Sequence, residues 1–117
     1  MDLFRLLDSS SSVLSFDVID HRVWHTGSYV KLKVLLRDGS ELHTREFVSD
    51  AERKYAFHWQ SKIGQLLIRW DNAPHHPELV TYPDHKHVGR GVKATIEVSL
   101  EDVLKVIESH FGKNAKA

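Results

Sequence analysis

The stretch Tyr29–Val48, YVKLKVLLRDGSELHTREFV, decides the fold. Val30, Leu32, Val34 and Leu36 alternate with Lys31 and Lys33, the period-two signature of a half-buried strand. Asp38-Gly39 supplies the residues favoured in a two-residue type I′ turn. With that loop Arg37 pairs with Ser40, and Lys31 faces Glu46 as an opposite-charge cross-strand pair. The same register places His43 and Arg45 on the face of Leu32 and Val34, at the rim of the buried face or in a pocket on it.

Downstream, Tyr55 to Trp70 reads as a second hairpin turning around Ser61-Lys62-Ile63-Gly64. A four-residue loop pairs Gln60 with Gln65, and then Trp59 faces Leu66, Phe57 faces Ile68 and Tyr55 faces Trp70. Aromatic and branched side chains so paired are what strands favour, which makes this a core face rather than a base-stacking one. Ala56, His58, Leu67 and Arg69 occupy the other face, with Asp71 next in phase. Asn72-Ala73-Pro74 ends regular pairing, because proline cannot donate to the ladder.

Outward from these hairpins, residues 2–8 form a short amphipathic helical turn and Ser9 to Ser12 a polar spacer. Val13 to Trp24 is a strand with an irregularity near Asp20-His21, and Ser49 to Lys54 is a charged connection. After the flexible joint Gly89-Arg90-Gly91, Val92 to Val98 is the last strand. Ser99 with Asp102 forms a capping-box variant, and Leu100, Val103, Leu104, Ile107 and Phe111 make one helical stripe that Gly112 ends. The expected class is α+β: an antiparallel sheet of five or six strands with a C-terminal helix packed on one face. One domain covers 1–117: the N-terminal turn and spacer at 1–12, the sheet at 13–98 with a histidine-rich loop at 71–88, the helix at 99–111 and a frayed tail at 112–117.

The 117 residues suit one domain with a single core. No apolar run reaches the roughly 20 residues of a bilayer span, and the N-terminus lacks the features of a signal peptide, so a cytoplasmic protein is expected. Without cysteine, any metal site must use His, Asp or Glu. Net charge is zero, yet residues 22–93 hold twelve Lys/Arg against eight Asp/Glu, while 1–20 hold one Arg against four Asp. The basic excess therefore travels with the sheet, and a strongly basic protein is excluded.

His75, His76, His85 and His87 fall within thirteen residues after Asn72, a concentration that admits three mechanisms. Imidazoles titrate near neutral pH, so one can take a proton while another gives one; RNA cleavage through its own 2′-hydroxyl needs that pair plus a cation, here Arg69 or Arg45. Asp71 could orient one ring. Alternatively, His85-x-His87 on extended backbone puts both rings on one side, and His75, His76 or Asp71 could complete a divalent metal site. The third reading leaves them as loop histidines satisfying turns and packing on Tyr82. His21, His25 and His110 are assigned structural roles.

The run Arg69-Trp70-Asp71-Asn72-Ala73-Pro74-His75-His76, followed by Tyr82-Pro83-Asp84-His85-Lys86-His87, resembles the TumE-like family of toxins from prokaryotic toxin–antitoxin modules. Tyr55 to Gln60, the Gly64-Gln65-Leu66 turn and the Asp38-Gly39 hairpin fit the same layout, and the likeness spans about residues 13–111. It implies a growth inhibitor acting on RNA, partnered by an antitoxin encoded beside it. It carries over no catalytic assignment.

The leading expectation is metal-independent RNA cleavage, with His75, His76, His85, His87 and Asp71 as the catalytic set. Arg69, His58, Arg45, Lys86 and Asn72 are expected to bind substrate, and no cofactor is required. The expected partners are a cognate antitoxin, RNA and a second copy of the chain, with no membrane. A non-enzymatic module docking an antitoxin through its histidine loop or a sheet edge, and a His/Asp metal hydrolase, are the alternatives.

Overall fold

In the computed structural model, which describes residues 2–115, helix α1 (Leu3–Ser9) precedes seven strands and helix α2 (Leu100–Ala115) follows them. The strands are β1 (Val13–Trp24), β2 (Gly27–Leu36), β3 (Glu41–Ser49), β4 (Arg53–Gln60), β5 (Leu66–Asp71), β6 (His85–Val88) and β7 (Gly91–Ala94). Each pairs antiparallel with the next, so sheet order is chain order. The α+β class stands, but the strand count is seven rather than five or six. The extra strands come from a tight hairpin at Gly89-Arg90, where Gly89 takes φ +59 and Val88 pairs with Gly91. His85 to Val88 shows no apolar alternation because both its faces carry polar groups, so periodicity could not reveal it. His85 and His87 thus sit on a strand, and the irregular segment is 72–84. The expected last strand, Val92 to Val98, stops at Ala94.

The first hairpin differs from expectation by one residue. Leu36 N–H donates to Ser40 O (2.9 Å) and Gly39 N–H to Leu36 O (3.0 Å), so Arg37, Asp38 and Gly39 form a three-residue loop. Gly39 holds φ +88, the left-handed residue of a turn-plus-bulge connection. Because side chains alternate with period two, this single residue reverses which β3 positions share a face with β2. Lys31 stands opposite Arg45, not Glu46, and Leu32 and Val34 stand opposite Thr44 and Leu42. His43 and Arg45 therefore leave the Leu32–Val34 face and join Lys31 and Lys33. In the second hairpin the register moves by two, to Phe57 opposite Trp70 and Trp59 opposite Ile68. The even shift keeps the expected faces.

One face of the sheet is the core. Leu32, Val34, Leu36, Leu42, Tyr55, Phe57, Trp59 and Trp70 bury against Val98, Leu100, Val103, Leu104 and Ile107 of α2 and its approach, with Leu7 of α1 closing one end. Each fully buried large side chain contributes about 1.5–3 kcal/mol relative to exposure. Trp59 Nε1–H donates to Ser40 Oγ (3.1 Å), which satisfies the one polar atom of a buried indole. The helix starts as the sequence implies: Asp102 Oδ2 accepts from Ser99 N (2.9 Å) and Ser99 Oγ from Asp102 N (3.2 Å). It continues past Gly112 to Ala115, so the tail expected to fray is helical that far. Met1, Lys116 and Ala117 lie outside the described residues. The serine spacer is a tie rather than a loose link, since Ser10 Oγ donates to Glu108 (2.9 Å) and Arg37 N–H to Ser12 O (2.9 Å).

Candidate functional site

The opposite face of the sheet is not covered by either helix, and the ladder sets its polar side chains in rows. One row runs Lys31–Arg45–Ala56–Asp71–His85, and the next Lys33–His43–His58–Arg69–His87. The segment 72–84 folds beside these rows and makes an open groove of about 1030 Å³, lined among others by Arg45, Arg69, Asp71, His76, His85 and His87.

Asp71 is the hub. The residue is 5% exposed, and Oδ1 accepts from Ala73 N (3.0 Å) and stands 3.0 Å from His85 Nε2. Oδ2 accepts from Arg69 Nε (3.2 Å) and lies 3.6 Å from His87 Nε2. Strand pairing places this group by construction, because Asp71 ends β5 directly opposite His85 at the start of β6. His85, only 2% exposed, has its Nδ1 2.9 Å from Pro83 O. His76 Nδ1 is 3.2 Å from Glu78 Oε1. The rings of His76, His85 and His87 therefore converge, with centroids 4.8 Å (His76–His85), 4.9 Å (His85–His87) and 5.8 Å (His76–His87) apart. One potential ligand nitrogen from each lies within 4.8 Å of the others. Burial holds the His87 imidazole below its ordinary value of 6.5; Asp71 opposes this, while His85, His76 and Arg69 reinforce it.

The segment that carries His76 is anchored at both ends. Asn72 side-chain Oδ1 accepts from Tyr55 N (3.0 Å) and Nδ2 donates to Arg53 O (2.7 Å), so its amide continues the β4 ladder past the end of β5. Both amide groups are thereby engaged with β4 backbone, while the residue also lines the groove. At the far end Tyr55 Oη donates to Asp84 Oδ1 (2.7 Å), and burial followed by this carboxylate pushes the phenol well above its usual range. Thr81 Oγ1 donates to Asp84 O (2.8 Å) and accepts from Thr95 N (3.2 Å).

The other expected site residues divide. His58 lies in the row with Arg69, whose Nη1 donates to His58 Nδ1 (3.3 Å). Burial, then the neighbouring Arg69 and His43, holds His58 below 6.5. Arg45 and Arg69 both line the groove. His75 is exposed at its mouth, outside the three-histidine cluster, with its N–H donating to Ala73 O (2.9 Å). Lys86 is a correction: it stands opposite Trp70 between His85 and His87, so the pleat turns it to the far face. Sequence reading missed Tyr29 and Phe47, which line the same groove. Phe47 follows from the three-residue loop, which turns it with Arg45 to the open face, whereas Tyr29 is in phase with Lys31 and Lys33 on β2 whatever the loop length.

A buried carboxylate, three converging imidazoles and two guanidiniums share the open sheet face, a set of groups whose chemistry suits an anion, a proton transfer or a divalent ion. No curated protein and no solved structure matches the chain. The family model Toxin TumE matches residues 3–111, and the chain belongs to that toxin family. Among the described residues no helix is long and apolar enough to cross a membrane.

Proposed function

We propose that this toxin cleaves RNA by histidine acid–base catalysis in the groove. The observation carrying this reading is a pair of part-exposed imidazoles, His76 and His87, 5.8 Å apart beside a buried carboxylate and two arginines. Neutral His87 takes the proton from the 2′-hydroxyl, which attacks the adjacent phosphorus, and protonated His76 gives one to the departing 5′-oxygen. Arg69 and Arg45 offset the phosphorane charge. Buried His85 positions the other two rings through Asp71. The test is induction of the His76→Ala/His87→Ala variant and incubation of the purified protein with RNA. Loss of both toxicity and cleavage is expected; undiminished cutting would refute the mechanism.

A metal-dependent reading has its own observation. Oxygen acceptors hold Nδ1 of His76 and His85, which leaves Nε2 of each as the candidate ligand atom, that of His85 in place of its contact with Asp71. A stoichiometric divalent ion in the purified protein, with cleavage abolished by chelator, would replace proton transfer with metal-assisted hydrolysis. The antitoxin we assign to the free edge of β1, a 12-residue strand exposing Leu14, Val18, Ile19 and Val23, where strand addition by a partner is available. The toxin's place is then the cytoplasm, with its RNA and its antitoxin.

A further inference from the structure

At the end of the groove away from β6 stands a cluster of aromatic side chains that the catalytic reading does not use. Tyr29 on β2 and Phe47 on β3 are cross-strand partners on the open face. Trp24 lies over Gly27, where a Cβ would come within 3.2 Å of its ring, and reaches Phe47 with ring centroids 5.7 Å apart and a tilt of 34°. Glycine at position 27 is required first by the backbone of β3, since a Cβ would collide with Val48 O, and it also leaves the indole its place. Trp24 is 40% exposed, whereas Trp59 and Trp70 are each 3% exposed in the core. Tyr29 and Phe47 share the groove wall with Arg45, Lys54 and Arg69. Arg45, like Lys31 beside it, has no carboxylate within ion-pair distance among the described residues.

We infer that this aromatic shelf stacks bases of a single-stranded RNA segment whose phosphates cross Arg45 and Arg69 to reach the histidine cluster. The inference rests on the RNA reading above and adds a base-binding subsite to it. Aromatic faces beside a cation without an acidic partner, here Arg45, suit a single strand, because every base has a face to stack and the backbone supplies the charge. The pleat supplies the spacing. Phe47 and Asp71 are two strands and two residues apart, about 12 Å at ~4.8 Å per strand and ~3.4 Å per residue. That distance spans about three or four stacked nucleotides at ~3.4 Å each. A duplex cannot offer its base faces to the shelf, so the subsite selects unpaired RNA.

Trp24 is its own reporter. Eight-nucleotide oligoadenylate and oligouridylate, titrated into full-length His76→Ala/His87→Ala protein so that no cleavage intervenes, should quench its emission. The same sequences annealed into duplex should bind at least tenfold more weakly. Trp24→Ala should lower single-strand affinity about tenfold, and Phe47→Ala should do the same in case Trp24 acts only as a probe, whereas Trp24→Phe should bind normally with the signal gone. Blue-shifted emission from the buried Trp59 and Trp70, moving to the red only on unfolding in urea, confirms that each variant is folded. Equal affinity for duplex, or unchanged affinity in both alanine variants, overturns the inference. So does a Trp24→Ala variant that binds RNA fully but escapes neutralisation by its antitoxin, an outcome that would give the shelf to a protein partner. Tight shelf-dependent binding by wild-type protein that never cuts RNA would leave the shelf standing and refute the cleavage reading instead.

Discussion

Replacing Asp71 by asparagine keeps the shape of the hub and removes its charge. Two hydrogen bonds reach the carboxylate, from Ala73 N at 3.0 Å and Arg69 Nε at 3.2 Å, and two imidazole nitrogens flank it, His85 Nε2 at 3.0 Å and His87 Nε2 at 3.6 Å. Asparagine has one oxygen for them, and its amide nitrogen must face a donor. The largest loss is at His85, 2% exposed, whose 3.0 Å contact with the carboxylate is an ion pair when the imidazole carries its second proton and is then worth about 1.5–3 kcal/mol. Arg69 is about a third exposed at 32%, so water replaces most of its pairing and it adds only about 0–1 kcal/mol. The sum is about 1.5–4 kcal/mol, a large share of the roughly 5–15 kcal/mol that holds a domain together. With a urea slope of about 1–3 kcal/mol per M, the unfolding midpoint should fall by roughly 0.5–4 M. A double-mutant cycle with His85→Phe should give a coupling energy above about 1 kcal/mol. A midpoint that does not move, or a cycle that adds, would refute the account of Asp71 as the hub.

The remaining predictions concern pH, charge placement and Asn72. His58 and His87 are held below their ordinary value of 6.5, chiefly by burial. The unfolded chain therefore binds more protons as pH falls past 6.5, stability rises with pH through the window just below 6.5, and it levels off above it; urea midpoints between pH 5 and 8 should show this slope, weakened in His87→Gln. Arg45→Ala should weaken RNA binding at all sequences and lower the salt slope by about one, whereas Lys86→Ala, on the far face, should leave both unchanged when measured by anisotropy. Asn72→Ala removes two side-chain bonds to β4 and should cost about 1–3 kcal/mol, read as a lower melting temperature, with RNA affinity falling less than stability.

Hydrophobic alternation made the sheet and its aromatic core legible, because Phe57, Trp59 and Trp70 are buried at a period no loop length of the right parity could scramble. The side-chain rows of the site were only half legible. His58, Arg69 and Asp71 were placed on one face correctly, since the second hairpin errs by an even step. Arg45 and His43 were assigned to the wrong face by one loop residue: Asp38-Gly39 suits a two-residue loop and a three-residue loop with Gly39 as bulge alike, and nothing local separates them. Strand β6 was invisible for a different reason. Its stability comes from pairing with β5 and from Asp71 meeting His85, a contact between residues fourteen apart that no local period encodes.

The same division of faces explains how a chain of zero net charge can carry a surface for an anionic polymer. Many of its acids are used elsewhere or neutralised. Glu46 pairs with Arg53 at 2.6 Å on the core side of the sheet, Glu101 and Asp102 sit in the first turn of α2, and Asp71 is buried among donors. Glu41, on the open side, is engaged by Lys33 at 3.5 Å and His43 at 3.3 Å, and Asp20 by Arg22 at 3.2 Å. What the open face presents beyond these pairs is Lys31 and Arg45 beside Arg69, whose own partner is buried, with Asp17 opposite Lys33 on the β1 side. Net charge averages over both faces, whereas a bound polyanion meets one of them across a Debye length of about 8 Å. Salt-dependent RNA binding by this chain is therefore compatible with its pI of about 7.1. The binding should track the charges on β2, β3 and β5 of the open face rather than the net charge of the protein.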